Sequence, residues 1–245
     1  MKVPYRMDPQ PLIDVSVRFT FHSSLDGPSE LLQWNRVLSS LFNQMDIGFA
    51  SPLTDDESIE QGPVGVLRFF DDRYDVSVNG NNVIVRTTVD YPGWDSMSAM
   101  LSKIIKKASV EYKDSYTINR ISARYLNYFT NSPWMKDIVD IGVDVPESID
   151  AGRHSIRLAS GPSETTRIMH DVTVADSISI NQSEAEGVIL DIGVWKQVEV
   201  NLGSTFDLLK EIDLLHRYEK RLFTSLIKNE ILHAFTKEWE DIEDG

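Results

Sequence analysis

The chain has 245 residues, of which 41% are hydrophobic and 9% aromatic, and this is enough apolar material for a globular core. It contains no cysteine, which excludes disulfides, thiolate nucleophiles and cysteine-ligated metal sites. The formal net charge is −14 at pH 7, so most of the surface should repel a phosphate backbone, and we expect no direct nucleic-acid binding.

The N-terminal stretch MKVPYRMDPQPLIDV lacks the apolar core of a signal peptide, and no apolar run reaches the roughly 20 residues that a membrane helix needs. Together with the absence of cysteine, this predicts a cytoplasmic protein without a membrane partner.

Changes in hydrophobic period predict the first elements. Residues 12–21 (LIDVSVRFTF) alternate apolar and polar side chains, which is typical of a half-buried strand. The period then becomes helical between Leu31 and Phe42, so we predict a helix within the stretch 27–45 with Ser29 as its N-cap. An acidic, proline-bounded loop is predicted at 51–63.

Three strands and a helix complete the first half. The strands are VGVLRFF, RYDVSVNG and NVIVRTTVD, and the Asn79-Gly80 step between the last two predicts a tight hairpin. The following apolar pattern predicts a helix from about Trp94 to Tyr112.

The second half repeats this order. YTINRISARYLNYF predicts a strand and SPWMKDIVDIG a short helix, with a long connection at 144–153. Three strands are predicted around 154–160, 166–180 and 186–195, followed by one long amphipathic helix over 204–239 and an acidic, frayed tail.

Both halves thus have the order strand, helix, three strands, helix. We therefore predict an α+β protein made by internal duplication, in which each half is an antiparallel sheet covered by long helices. The two halves are expected to be residues 1–115 and residues 116–245.

Three stretches, PLIDVSVRF (11–19), RISARYLNYF (120–129) and LHRYEKRLF (215–223), carry a resemblance. In order and spacing they resemble a sporadically distributed family of prokaryotic proteins of uncharacterised function. The resemblance spans nearly the whole chain. It implies no established activity, although the scattered distribution suggests mobile genes such as defence or toxin-related cassettes.

The family motif Arg-x-x-x-Arg-Tyr-x-Asn falls on residues 120–127, and its Leu-His pair falls on Leu215 and His216. A Leu-Asp-Ile-Asp pattern is usual in the family before the last helix. This chain has LDIG instead, so Asp191 is retained and Gly193 replaces the second acid. That departure weakens a metal or acid–base role for the pair.

The tentative ligand-binding residues are Arg124, Tyr125, Asn127, Asp191 and His216. On a strand, Tyr125 and Asn127 share the face that should pack under a helix, while Arg124 lies on the opposite face. Helical spacing turns His216 inward as well. One interpretation is a satisfied polar contact among Tyr125, Asn127 and His216. The other is a site between the halves, in which Arg124 holds an anion rather than forming an internal ion pair.

Other chemistry has no sequence support. The five histidines show no zinc-ligand spacing, and there is no glycine-rich phosphate loop, nucleophile elbow or kinase motif. We therefore expect no catalytic residues, no metal and no cofactor.

These observations favour a non-catalytic binding or regulatory protein that contacts a protein partner, of basic character, through its acidic surface. It would neutralise or sense another protein of a mobile cassette. The alternative is an enzyme or small-anion-binding domain whose pocket lies between the two halves.

Overall fold

The structure is a computed structural model. It describes residues 1–8, 10–25, 27–50, 64–88, 91–112, 116–130, 135–140, 155–161, 166–176 and 187–242. The predicted loop at 51–63 and the predicted connection at 144–153 lie outside these residues.

The described residues form a mixed α+β fold with largely antiparallel strands. The strands are β1 (Lys2–Met7), β2 (Leu12–Phe21), β3 (Gln44–Ala50), β4 (Val64–Phe70), β5 (Tyr74–Asn79), β6 (Asn82–Thr87), β7 (Thr117–Phe129), β8 (Ser155–Ser160), β9 (Ile168–Asp176), β10 (Val188–Asn201) and β11 (Thr236–Asp241). The helices are α1 (Pro28–Leu38), α2 (Trp94–Tyr112), α3 (Met135–Ile138), α4 (Thr205–Leu226) and α5 (Asn229–Phe235).

Two sheets contain these strands. One has two strands, β1 and β11, which pair antiparallel. The other has nine strands in the order β3-β4-β5-β6-β2-β7-β10-β9-β8. Strands β5 and β7 alternate between buried and partly exposed side chains, so one side of each of these strands contributes to the core.

The chain divides into two compact units. Unit 1 contains Met1–Val15, Arg124–Trp195 and Leu214–Gly245, and unit 2 contains Ser16–Ala123 and Lys196–Asp213. The predicted division into halves 1–115 and 116–245 rests on an internal duplication, and it stays a prediction.

Unit 2 is centred on the contact between α1 and α2. Trp34 of α1 packs against Tyr112 of α2 with ring centroids 5.1 Å apart, and Phe21 of β2 meets Trp34 edge-on. The Tyr112 hydroxyl donates a hydrogen bond to the Glu30 carbonyl at 3.1 Å, and burial raises the pKa of this phenol above its ordinary range. A buried hydroxyl needs such a partner, which explains a tyrosine at the end of an apolar helix face.

Unit 1 is centred on the C-terminal part of α4. Phe223 of α4 stacks on Phe129 of β7 with ring centroids 6.4 Å apart. The segment after α3 is bound to the junction between α4 and α5 by an isolated bridge between Val139 and Ile227 and by a hydrogen bond from the Lys228 amide to the Ile138 carbonyl at 3.0 Å.

Several predicted elements are confirmed. β2 spans the predicted residues 12–21, and α2 has the predicted bounds. The hairpin between β5 and β6 turns at Gly80, whose φ of 50° lies in the left-handed region that glycine adopts without strain.

The predicted first helix is too long. α1 ends at Leu38, its N-cap is Gly27 rather than Ser29, and Gln44 begins the strand β3. The first half therefore has four strands after its first helix instead of three. Leu41 and Phe42 continue the helical spacing but belong to a turn, in which both amides donate to the Leu38 carbonyl.

The predicted final helix is also wrong beyond Leu226. The helix stops there, α5 follows as a separate short helix, and residues 236–241 form β11 instead of a frayed tail. The physical reason is non-local, because β1 supplies the pairing partner of β11 and the carbonyl of Ile138 captures an amide at the break.

Candidate functional site

Tyr125 and His216 form the predicted contact. Their side chains are buried, and the Tyr125 hydroxyl lies 3.0 Å from Nδ1 of His216. Period-two burial along β7 directs Tyr125 toward α4, as the sequence predicts. Burial lowers the pKa of the His216 imidazole well below its ordinary value, and the nearby Lys220 and Arg217 charges add to that effect. A neutral imidazole nitrogen can accept a hydrogen bond from the hydroxyl, so each of these two buried polar groups has a partner.

Asn127 lies on the same buried face of β7. Its amide nitrogen donates a hydrogen bond of 3.4 Å to the carbonyl of Leu190 on β10. This long bond gives the buried amide nitrogen a partner, and a buried polar group without one costs roughly 1–3 kcal/mol. Asn127 thus connects two neighbouring strands within the core.

Arg124 lies on the opposite side of β7 and is bonded to Asp191 of β10. Nε donates to one carboxylate oxygen at 2.8 Å, and a terminal nitrogen donates to the other at 2.6 Å. These bonds to Asp191 raise the pKa of the Arg124 guanidinium, and burial partly opposes the effect. Arg124 therefore forms the ion pair that the sequence left as an alternative to anion binding.

The five predicted site residues thus fall into two groups. Tyr125, Asn127 and His216 belong to the buried side of β7, whereas Arg124 and Asp191 belong to its solvent side. Adjacent residues of a strand point to opposite faces, so these groups do not line one common cavity.

Glu219 is a buried acid that is not among the residues predicted from the sequence. It is only 5% exposed and lies one helical turn from His216, on the apolar seam of α4. Burial raises the pKa of its carboxyl group to about 8, and the charge of Lys220 opposes the shift. Its position four residues after Leu215 and four before Phe223 is the signal that could have identified it.

A second histidine also has hydroxyl partners. Nδ1 of His170 on β9 lies 2.8 Å from the Ser160 hydroxyl and 3.0 Å from the Tyr218 hydroxyl. Such a contact can polarise a serine for attack when a carboxylate orients the other ring nitrogen. Among the described residues no carboxylate bonds to that nitrogen, so the arrangement matches a cross-strand contact better than a catalytic dyad.

An open cleft of about 580 Å³ lies within unit 1, beside the junction of α4 and α5. Its walls include Lys2, Asp140, Asn229, His233 and Trp239. The ring centroids of His233 and Trp239 are 5.3 Å apart, and the two ring planes are tilted by 48°. Within the described part of the chain, the side chains of Lys2, Asp140 and Asn229 make no hydrogen bond or ion pair.

The end strand β3 exposes neighbouring apolar side chains. Met45 is 50% exposed and Ile47 is 65% exposed, and Asp46 lies between them. Met45 pairs with Phe69 and Ile47 with Leu67 across β4. Cross-strand partners share a face, so these two side chains extend the core face of unit 2 onto its surface.

No group of three or more metal-ligating side chains occurs among the described residues, and none of their helices is long and apolar enough to cross a bilayer. The sequence matches no protein-family model and no curated protein. The resemblance of the three motifs to an uncharacterised prokaryotic family therefore stays a prediction.

Proposed function

We propose that this chain is a non-catalytic binding or regulatory protein that recognises a basic protein partner. The observation that carries the proposal is the exposed end strand β3, with Met45 and Ile47 side by side at the sheet edge. End strands in natural proteins are usually protected by charges, bulges or short length, and a regular apolar edge is typical of an interaction surface.

The partner's basic character follows from charge. The chain carries a formal charge of −14, so association with a cationic surface is favoured at long range and association with an acidic one is opposed. Asp46 gives the edge itself a carboxylate, and the sequence after β3 has four more acids between residues 54 and 60. A cytoplasmic role in neutralising or sensing a protein of a mobile cassette is consistent with these features.

Native mass spectrometry of the protein purified gently from its own cells tests the proposal. Ile47→Lys should abolish co-purification of a basic protein. Val110→Lys is the matched control, because Val110 is 72% exposed on α2 and the substitution changes the net charge equally. Equal retention of the partner by both variants would contradict the proposal, and so would equal loss.

A second candidate function is small-ligand binding in the cleft beside α5. Its volume of about 580 Å³ is within the range of ligand sites, and its lining combines polar side chains with the indole ring of Trp239. This cleft favours small-ligand binding, whereas the ion pair of Arg124 with Asp191 does not. Lys2 and Asp140 carry opposite charges, which suits a molecule with both an anionic and a cationic group.

The same mass spectra distinguish this alternative. A bound small mass should disappear in Asn229→Ala and His233→Ala but persist in Arg124→Met, since Arg124 does not line the cleft. A small mass that survives both cleft substitutions would exclude the cleft as its site.

We also propose the internal duplication that the element order predicts. From its central strand outward the first half is ordered β2-β6-β5-β4, and the second half is ordered β7-β10-β9-β8, so corresponding strands occupy corresponding places. The outer hairpin of each half carries an arginine–aspartate ion pair, Arg68 with Asp75 and Arg157 with Asp171. An experimental structure should allow the two sets of four strands to be superposed with α2 on α4, and a poor superposition would contradict the duplication.

A further inference from the structure

We propose that the partner docks by adding an extended basic segment as a new strand at the outer edge of β3. This inference rests on the proposed function and specifies how the partner binds. It predicts main-chain hydrogen bonds to β3, alternate apolar side chains against Met45 and Ile47, and lysines or arginines on the face of Asp46.

The backbone of β3 is suited to this pairing. Its seven residues pair with β4 in unbroken antiparallel register, from Gln44 opposite Phe70 to Ala50 opposite Val64, without a bulge. A strand that pairs regularly on one side presents alternate N–H and C=O groups on the other. No hydrogen bond from another described residue reaches that outer edge, and β3 is the last strand of the nine-stranded sheet.

The side chains of β3 determine the pattern of the occupant. Leu31 of α1 lies against Gly65 of β4, where a Cβ would be 3.8 Å from the leucine methyl group, so α1 covers the face that Met45 and Ile47 extend. An added strand would continue this face with every second side chain. The occupant is therefore apolar at alternate positions.

The other end of the sheet provides a contrast. On β8, Arg157 forms an ion pair with Asp171 of β9, and Leu158 is half-buried. Charged side chains at an edge oppose pairing with further strands. β3 has instead a single carboxylate between two exposed apolar side chains.

Charge decides between a foreign segment and a second copy of this chain. Two copies would each bring a charge of −14, and antiparallel pairing of β3 with itself would bring the two Asp46 side chains near each other. Arg68 lies opposite Asp46 on β4 and attracts it, but its hydrogen bond, at 2.8 Å, goes to Asp75. Like charges across a sheet are destabilising, whereas a lysine opposite Asp46 is favourable.

A designed probe tests the inference with the full chain. The probe is a fluorescent, strand-length peptide of roughly eight residues with alternating valine and lysine. Two further peptides carry N-methyl groups on the valines only or on the lysines only. All three have the same charge and side chains, but each methylated peptide can form hydrogen bonds along only one edge.

Fluorescence anisotropy at about 0.15 M salt should show binding of the parent peptide. One methylated peptide should bind about tenfold more weakly and the other nearly as well as the parent. Amide hydrogen exchange over residues 44–48 should slow with the parent peptide. Ile47→Lys should weaken binding by about tenfold, and Val110→Lys by less than about twofold.

The contradicting outcomes separate the two proposals. If both methylated peptides bind like the parent while Ile47→Lys still weakens binding, the partner docks through side chains, and only the added strand is wrong. If Val110→Lys weakens binding as much as Ile47→Lys, the attraction is diffuse and the edge is not the surface. If the parent peptide does not bind, strand addition is overturned, and the proposed function depends on the mass-spectrometric result alone.

Discussion

The buried carboxyl group of Glu219 predicts an unusual dependence of stability on pH. Burial raises the pKa of this group to about 8 in the folded chain, against an ordinary value of 4.5. Between these values the folded carboxyl keeps a proton that the unfolded chain releases. The free energy of unfolding should therefore be greatest below pH 4.5 for this group alone and fall by up to about 1.4 kcal/mol for each pH unit above it.

His216 acts in the opposite direction. Because its folded pKa is well below 6.5, the unfolded chain binds a proton at low pH that the folded imidazole refuses, and stability falls as pH decreases below 6.5. Between pH 4.5 and 6.5 the two effects on the free energy of unfolding oppose each other. From pH 6.5 to 8 only the Glu219 effect remains, which amounts to about 1.5 kcal/mol, or a decrease in Tm of about 3–6 °C for a chain of this size.

Thermal denaturation from pH 5 to 8.5, followed by circular dichroism, measures this effect. Glu219→Gln should flatten the decrease in Tm above pH 6.5, while Glu230→Gln, at an exposed position of α5, should leave it unchanged. An undiminished decrease of Tm in Glu219→Gln would contradict this prediction and assign the pH dependence to other groups.

Three further changes test the described contacts by denaturant unfolding. Tyr125→Phe removes the hydroxyl from a buried imidazole and should lower the free energy of unfolding by about 1–2 kcal/mol, whereas no change would mean that the bond is not formed. Gly187→Ala places a Cβ 2.5 Å from a backbone oxygen and should destabilise by about 1–3 kcal/mol, while Gly193→Ala meets nothing closer than 3.7 Å and should be nearly neutral. Arg124→Met removes an ion pair in which the arginine side chain is 58% exposed, so a double-mutant cycle with Asp191→Asn should give a coupling below about 1 kcal/mol that salt weakens.

Elements with a strong local pattern could be predicted from the sequence. β2 and α2 have clear periods of two and 3.6, and their observed bounds match the predicted ones. β3 could not be predicted, because its residues follow Leu41 and Phe42, which extend the helical spacing of α1. The pairing of β1 with β11 joins opposite ends of the chain, and no local pattern encodes a partner more than 200 residues away.

The candidate site was predictable to the same degree. The apolar patterns of β7 and α4 each predict which side chains point inward. These two patterns were enough to predict the contact between Tyr125 and His216. The partner of Arg124 was not determined, because many carboxylates could have reached it. The cleft could not be predicted from the sequence. Its walls come from β1, α5, β11 and the segment after α3, which only the tertiary structure brings together.

We propose that β3 is the surface that contacts a basic protein partner. A photo-crosslinking amino acid introduced at Met45, with Val110 as the matched exposed position, measures this in the protein's own cells. A crosslink to a basic protein is expected from position 45 and none from position 110. A crosslink from position 110 alone, or no protein crosslinked from position 45, would contradict it.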